Sequence, residues 1–494
     1  MEAAGFPQHE PTRGRAAASG RSTLVREGGL TVWLLIATCG VCDATFSSLA
    51  PFFPQHALDV GLSQASTGVV FSSFMWAGLV WVPVATRISR STSPRALLSG
   101  CVLLQAALTA LFAPTAALRS PARFFGATLA IRLVQGLVTT TYEVATTSML
   151  MRSCAPERVG TWVGIQESAR GIGLMVGPAL GGLLFQRGGF ALPFLASSGA
   201  LAALGLLVLA TLRAPGACKP AEGDAQPVHM LELLRRPGVC VPTCLLCALG
   251  AALSILDPTL APHERRAFGL APGAIGLTFT APTLAYAALA PAAGALGARA
   301  GNFRTLVGGM CLTALSYLLL GPSPWLPALR ASEALLVGAL VVLGVGASTL
   351  TCCLPVMLDV AHAAGYETAQ CSDVLGGAIA LAWTAGALVG PLYGSAAVSA
   401  LGFAEATSLT GAILLALTAV GAVVFAAVRT HGAPRAAAGS EDPFEYAAFP
   451  DPPAAGSARA PRAAGGALPL GCAVAELSAP LLERATSENG GSER

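Results

Sequence analysis

Twelve times along its 494 residues the chain runs apolar for the length of a bilayer. A spanning helix needs about 20 such residues. Stretches that meet this lie near 30–51, 66–86, 95–116, 124–151, 160–185, 190–212, 238–261, 271–297, 304–322, 332–356, 372–398 and 402–428. A backbone in lipid must satisfy its own hydrogen bonds, and helices do so within one segment. The predicted fold is an all-α membrane protein with twelve transmembrane helices. Composition agrees, with 11% of residues charged against about 25% in soluble domains.

The breaks divide the spans six and six. Residues 1–29 are polar and basic and are expected to be a disordered cytosolic tail, with no cleavable signal peptide. Residues 30–212 form the first six-helix half. A polar loop at 213–237 follows, with Lys219, Glu222, Asp224, Arg235 and Arg236. Residues 238–428 form the second half, and 429–494, rich in Ala, Gly, Pro and Arg, are expected to be disordered. Basic residues mark the cytosolic side of short loops. Arg87, Arg90, Arg95, Arg152 and Arg158 fall on one side with the basic tail and the central loop. Both termini are therefore expected in the cytosol.

The two halves carry a shared signature. Gly173, Gly177, Pro178, Gly181 and Gly182 recur as Gly386, Gly390, Pro391 and Gly394, both reading GxxxGPxxG. Glycines four apart lie on one helix face and admit a second backbone. The pair Pro178/Pro391 is separated by 213 positions and the pair Pro51/Pro258 by 207. Two offsets so close indicate one duplication and two pseudo-symmetric halves, an organisation common in transporters.

Charges at bilayer depth cost about 2.5–3.5 kcal/mol each on the insertion scale and mark candidate sites. Asp43 lies on span one, Arg132 and Glu143 on span four, Glu167 and Arg170 on span five, and Asp257 on span seven. Structural roles compete with functional ones at each. Glu167 and Arg170, three apart, can pair with each other. Arg132 can pair with Asp43 or Glu143. Asp257 can simply end a helix before Pro258, and Glu143 and Asp359 can lie at the surface. Asp43 is hardest to dismiss, having no basic residue on its own span. Trp76, Trp81, Phe74, Tyr142 and Tyr393 are candidate cavity aromatics that could stack on a cation, with lipid or helix packing the competing role. The six histidines are scattered and expected in tails and loops. The pairs Cys39/Cys42 and Cys244/Cys247 have metal-like spacing but lie in apolar runs without a His partner, so no metal or cofactor is expected.

Twelve spans in two sixes, with these motifs, resemble the major facilitator superfamily. Gly294, Arg299, Gly301 and Arg304 lie in a stretch similar to its loop motif G-x-L-x-D-R-x-G-x-x-R, with Ala298 where the family has Asp. Arg132-Leu133-Val134-Gln135-Gly136 resembles a fourth-span motif of proton-coupled members, and Gly173–Gly182 the fifth-span motif of antiporters. Within the superfamily, Leu256-Asp257-Pro258-Thr259-Leu260, Pro51-Phe52-Phe53-Pro54 and Leu320-Gly321-Pro322-Ser323-Pro324 look like the vesicular amine transporters, most of all their polyamine branch. Glu167, eleven residues before Pro178, matches that branch. Asp359 resembles the span-ten acid of the monoamine members. Their span-eleven acid has no counterpart between Gly376 and Gly386, where Ala380 stands near its place.

The resemblance implies a proton-coupled antiporter that moves an organic cation, a polyamine above all, into an acidic vesicle. Its partners would be a small cationic substrate, protons and the lipid bilayer, with no nucleic acid, and the protein would work as a monomer. Asp43, Arg132, Glu143, Glu167, Asp257 and Asp359 are the candidate substrate- and proton-binding residues. Alternatives are a plasma-membrane drug or amine exporter and a non-transporting sensor or scaffold. An enzyme is not expected, since no Ser/His/Asp set, HExxH or P-loop is present. The C-terminal Glu476-Leu477-Ser478-Ala479-Pro480-Leu481-Leu482 resembles an acidic-dileucine signal for sorting adaptors, one residue longer than the usual spacing.

Overall fold

The computed structural model describes residues 15–153, 159–212, 230–325, 329–366 and 368–432. The first half comprises α1 (Arg15–Ser47), α2 (Phe53–Asp59), α3 (Gln64–Ser91), α4 (Pro94–Ala110), α5 (Pro121–Ser153), α6 (Val159–Gly188) and α7 (Ala191–Thr211). The second comprises α8 (Met230–Leu234), α9 (Pro237–Phe268), α10 (Pro272–Thr278), α11 (Thr280–Ala300), α12 (Asn302–Leu320), α13 (Glu333–Ser348), α14 (Cys353–Ala363), α15 (Thr368–Leu401) and α16 (Phe403–Gly432). Among the described residues eleven segments are long and apolar enough to cross a bilayer, and the shorter Val32–Ser47 stands in the first place.

Helix ends follow the chain's own punctuation. Pro94, Pro121, Pro237 and Pro272 open helices, where the missing N–H has no partner to lose. The hydroxyl of Ser63 accepts the amide of Ser66, and that of Ser332 the amide of Leu335. Gly301 turns the chain between α11 and α12 at φ 97°, a region in which a side chain would be strained.

Packing repeats between the halves. In the first, α1 lies on α6, α3 on α5 and α4 on α7; in the second, α9 lies on α15, α11 on α13 and α12 on α16. The glycine signature makes the first of these contacts in each half. A Cβ on Gly173, Gly177 or Gly181 would strike the backbone carbonyls of Gly40, Ala44 and Ser48. On Gly386 and Gly390 it would strike those of Cys247 and Ala251, and on Gly394 the side chain of Ile255. Residues 40, 44 and 48 map onto 247, 251 and 255 at the same offset of 207 that relates Pro51 to Pro258.

The halves meet at one end. Gly276 of α10 lies against the Pro178 carbonyl and Gly182 against that of Pro272, while Gly68 of α3 lies against the Pro391 carbonyl. Ser72 donates to the Leu388 carbonyl at 2.8 Å. The prolines of α9 supply a further link. Pro262 lacks the N–H that would bond the Pro258 carbonyl, and Gln64 of the other half donates to that oxygen instead, at 2.6 Å. These contacts all lie where α1 ends and α3 begins, and we call this the closed end.

Four expectations need correction. Residues 15–28, expected to be unstructured, are helical and join the first span across a kink at Gly29 (φ 47°); their run of alanines favours helix. The first span stops at Ser47 rather than 51, because Pro51 and Pro54 restart the chain as α2. The tenth span is broken by a 3-10 turn at Thr349–Cys352 and continues to Ala363. There the hydroxyls of Ser348 and Thr349 bond the carbonyls of Val345 and Gly346 and compete with regular helix. His56, His263 and His362 sit in α2, α9 and α14 rather than in loops. The central-loop residues 213–229 and the C-terminal dileucine stretch lie outside the described residues.

Candidate functional site

Arg170 is the hub of the first half. Its Nε donates to Asp43 at 2.9 Å, one terminal nitrogen to Glu143 at 2.7 Å and the other to Glu167 at 3.4 Å. Three helices, α1, α5 and α6, bring these four side chains together. Glycine makes this possible, since the contact of Gly173 with Gly40 lets α6 press on α1 one turn from Arg170. The cluster keeps partial exposure, from 15% at Asp43 to 38% at Glu143. It therefore borders a space between helices rather than a sealed core. Three carboxylates around one guanidinium are two positive charges short of neutrality when all are ionised.

The sequence named all three acids and left their pairing open between alternatives. Arg132 pairs with neither Asp43 nor Glu143; Arg170, from another helix, holds both. Nor do Glu167 and Arg170 pair only with each other, for theirs is the longest of the three bridges.

Arg132 is 2% exposed and has a different setting. Its guanidinium lies over Phe46, Phe71 and Phe74, at 5.2, 5.8 and 5.3 Å from the ring centroids. One terminal nitrogen is 3.4 Å from the Gln135 amide oxygen. Its Nε and second terminal nitrogen have no hydrogen-bond partner. The opposing charge within electrostatic reach is Asp257 of the second half. Asp257 is partly buried beside Tyr317, whose hydroxyl donates to the Ala252 carbonyl. Asp257 does not end a helix, since α9 continues through Pro258 and Pro262 to Phe268. Phe46 stands three residues past Asp43 on α1, so it lies about one turn from the Arg170 cluster and under the Arg132 guanidinium.

Asp359 is apart from these groups. It sits on α14, where the neighbouring Val360 packs against Gly238 at the start of α9. Asp257 is nineteen residues further along α9, about 28 Å at helical rise. Of the proposed aromatics, Phe74 is at the Arg132 box and Tyr393 neighbours Tyr317. Tyr142 is buried, bonding the Leu35 carbonyl, Trp81 donates to Thr141 and Trp76 is exposed. Of the loop-motif residues, Gly294 and Arg299 lie on α11, Gly301 turns the chain and Arg304 lies in the first turn of α12.

Residues 35–256 and 243–481 match the sequence profile of the Major Facilitator Superfamily. The chain belongs to the Major Facilitator Superfamily. Among its relatives is the "MFS-type transporter SLC18B1" of Rattus norvegicus, 29% identical over 420 residues, spanning 83% of this chain and 90% of that protein. Another is the "Synaptic vesicular amine transporter" of Bos taurus, 23% identical over 371 residues, spanning 74% and 68%. A solved structure, a bacterial homologue of the human lysosomal transporter Spinster in an inward-facing, unoccupied conformation, superposes with TM-score 0.66 at 12% identity. It covers 81% of this chain and 96% of that one, and at that identity the likeness is one of fold. The superfamily and vesicular-amine-transporter resemblance read from the motifs is thus borne out, and the relatives are named transporters rather than enzymes.

Proposed function

We propose that this superfamily member is a proton-coupled antiporter of an organic cation, a polyamine above all, working by alternating access at acidic vesicles. The observation that carries the reading is the Arg170 cluster, a site two positive charges short of balance. Protons or ammonium groups can supply those charges. A carboxylate there can take a proton on the acidic side and give it up on the neutral side, so protons and substrate compete for one set of oxygens. Asp257 adds an anionic group in the other half. A polyamine carries several ammonium groups on a flexible chain, and each one buried needs a partner. Such a substrate can bridge the Arg170 cluster and Asp257 and so sense the movement of each half. The relatives named vesicular amine transporters support the substrate class and the compartment. With basic loops facing the cytosol, the closed end faces the lumen.

Reconstituted protein tests this. Proteoliposomes with an acidic interior should accumulate labelled spermidine or spermine, and a protonophore should abolish accumulation. Accumulation that survives collapse of both the pH gradient and the membrane potential contradicts antiport. Accumulation of neutral or anionic solutes in place of amines contradicts the substrate class.

A further inference from the structure

His56 of α2 and His263 of α9 are 207 positions apart, the offset that places α1 on α9. Each imidazole is stacked on a phenylalanine. His56 lies on Phe190 with centroids 4.1 Å apart and an interplanar angle of 30°; His263 lies on Phe403 at 3.8 Å and 10°. Phe190 and Phe403 are 213 positions apart, the offset that places α6 on α15. The stack is thus one device present in both halves, and both copies lie at the closed end. In each, Nε2 is buried and has no hydrogen-bond partner. Gln55 Oε1 and Glu264 Oε1 beside them are buried and unpartnered too.

A neutral imidazole stacks as another ring, with one nitrogen free to lack a donor. An imidazolium must place two N–H donors. A buried donor without an acceptor costs about 1–3 kcal/mol, and more when charged. Attraction of the cation to the phenyl face returns only about 0.5–2 kcal/mol. At His56, outside the spans, burial pushes the imidazole below its ordinary value, against the opposing pull of Asp59.

None of the charged neighbours is hydrogen-bonded to either Nε2 in the closed form. Near His56 they are Asp59 of its own helix and Arg265 of α9, which borders the same small cleft with Gln55 and Pro272. Near His263 they are Arg266 and Glu264 of its own helix, with Glu405 two residues after Phe403 on α16. Glu264 accepts from Thr278 of α10 at 3.0 Å through Oε2, with Glu333 of α13 beyond it, and its Oε1 makes no bond to His263.

We infer that His56 and His263 are a symmetric pair of proton-binding residues that release the closed end of the bundle when the compartment facing it is acidic. The closed form keeps each Nε2 out of water on a partly exposed neutral ring. As pH falls through the ordinary histidine value, about 6.5, a form that hydrates Nε2 takes up protons more readily than the closed form, so acid favours opening. Above that value both forms are neutral and the Gly68, Gly276 and Gln64 contacts hold the end shut. The inference rests on alternating access as proposed above but on no particular substrate.

Hydrogen–deuterium exchange of the full chain in lipid nanodiscs, without substrate or gradient, tests it. Amides of residues 53–62 and 262–276 should lose at least about tenfold protection between about pH 7.5 and about pH 5.5, after correction for intrinsic rates, as one unit of pKa difference corresponds to tenfold. The double variant His56→Phe/His263→Phe keeps both stacks and can take no proton. It should match the wild type at the higher pH and stay protected at the lower. A wild type that shows no loss, or a double variant that shows the same loss, overturns the inference. Should the double variant exchange throughout at the higher pH, it is unfolded. The single variants then decide, each expected to show a smaller response than wild type, and an undiminished response in both overturns the proposal. Opening by acid in a protein whose uptake ignores the pH gradient would sink the antiport reading alone.

Discussion

Among single residues, Glu167 and Arg170 should separate function from fold. Glu167 holds Arg170 by the longest bridge, 3.4 Å against 2.9 and 2.7 Å for Asp43 and Glu143. Glu167→Gln should therefore leave folding intact and remove proton-driven uptake; unchanged uptake would make this carboxylate dispensable. Arg170→Ala leaves three carboxylates together without their cation. Stranding a buried partner costs about 3–5 kcal/mol, and partial exposure puts this cluster near the lower value. A marked fall in melting temperature, restored in part by adding Glu143→Gln, is the expected result. Asp257 tests substrate length. Losing one charge-assisted hydrogen bond, worth about 1.5–3 kcal/mol, should weaken spermine roughly tenfold to a hundredfold in Asp257→Asn. A monoamine of similar apolar area should lose much less, and equal losses for spermine, spermidine and a monoamine would rule out bridging. The sequence marked every one of these acids, because charge in an apolar run is conspicuous. It could not pair them, since pairing depends on helix rotation and on which glycine face meets which partner. The histidine stacks were missed altogether. Only the 207 and 213 offsets, applied residue by residue, would have found them.

At the scale of elements, the same small residue does two jobs that substitution can tell apart. Gly177 and Gly390 seat helices within a half, against Ala44 and Ala251. Alanine there overpacks a permanent contact and should cost about 1–3 kcal/mol, visible as lower melting temperature and yield. Gly68 and Gly276 seat helices between halves, against Pro391 and Pro178. Alanine at these sites should spare stability and instead expose the closed end, read as raised exchange of residues 64–72 and 272–278. Equal thermal loss at both pairs would contradict the division. Span positions were readable within a few residues because lipid demands about 20 apolar residues. The exceptions are local polar competition at Ser348 and Thr349, which breaks span ten, and the prolines that stop α1 early.

For the whole molecule, the two-fold arrangement was readable from one motif repeated at a fixed offset, and the structure extends it to helix pairing and to the closed end. Destination is a separate property, and the dileucine proposed to set it lies outside the described residues. Leu481→Ala with Leu482→Ala should move the protein toward the cell surface, and unchanged vesicular staining would remove the dileucine from the account. The central claim is exchange of protons for a multiply charged amine through the Arg170 cluster. Its most direct test is proton movement itself. Proteoliposomes loaded with a pH-reporting dye and acidified inside should alkalinise when spermidine is added outside. Wild-type protein should show this, and Glu167→Gln should not. Spermidine entry that leaves lumenal pH unmoved, or alkalinisation that persists undiminished in Glu167→Gln, would contradict the account.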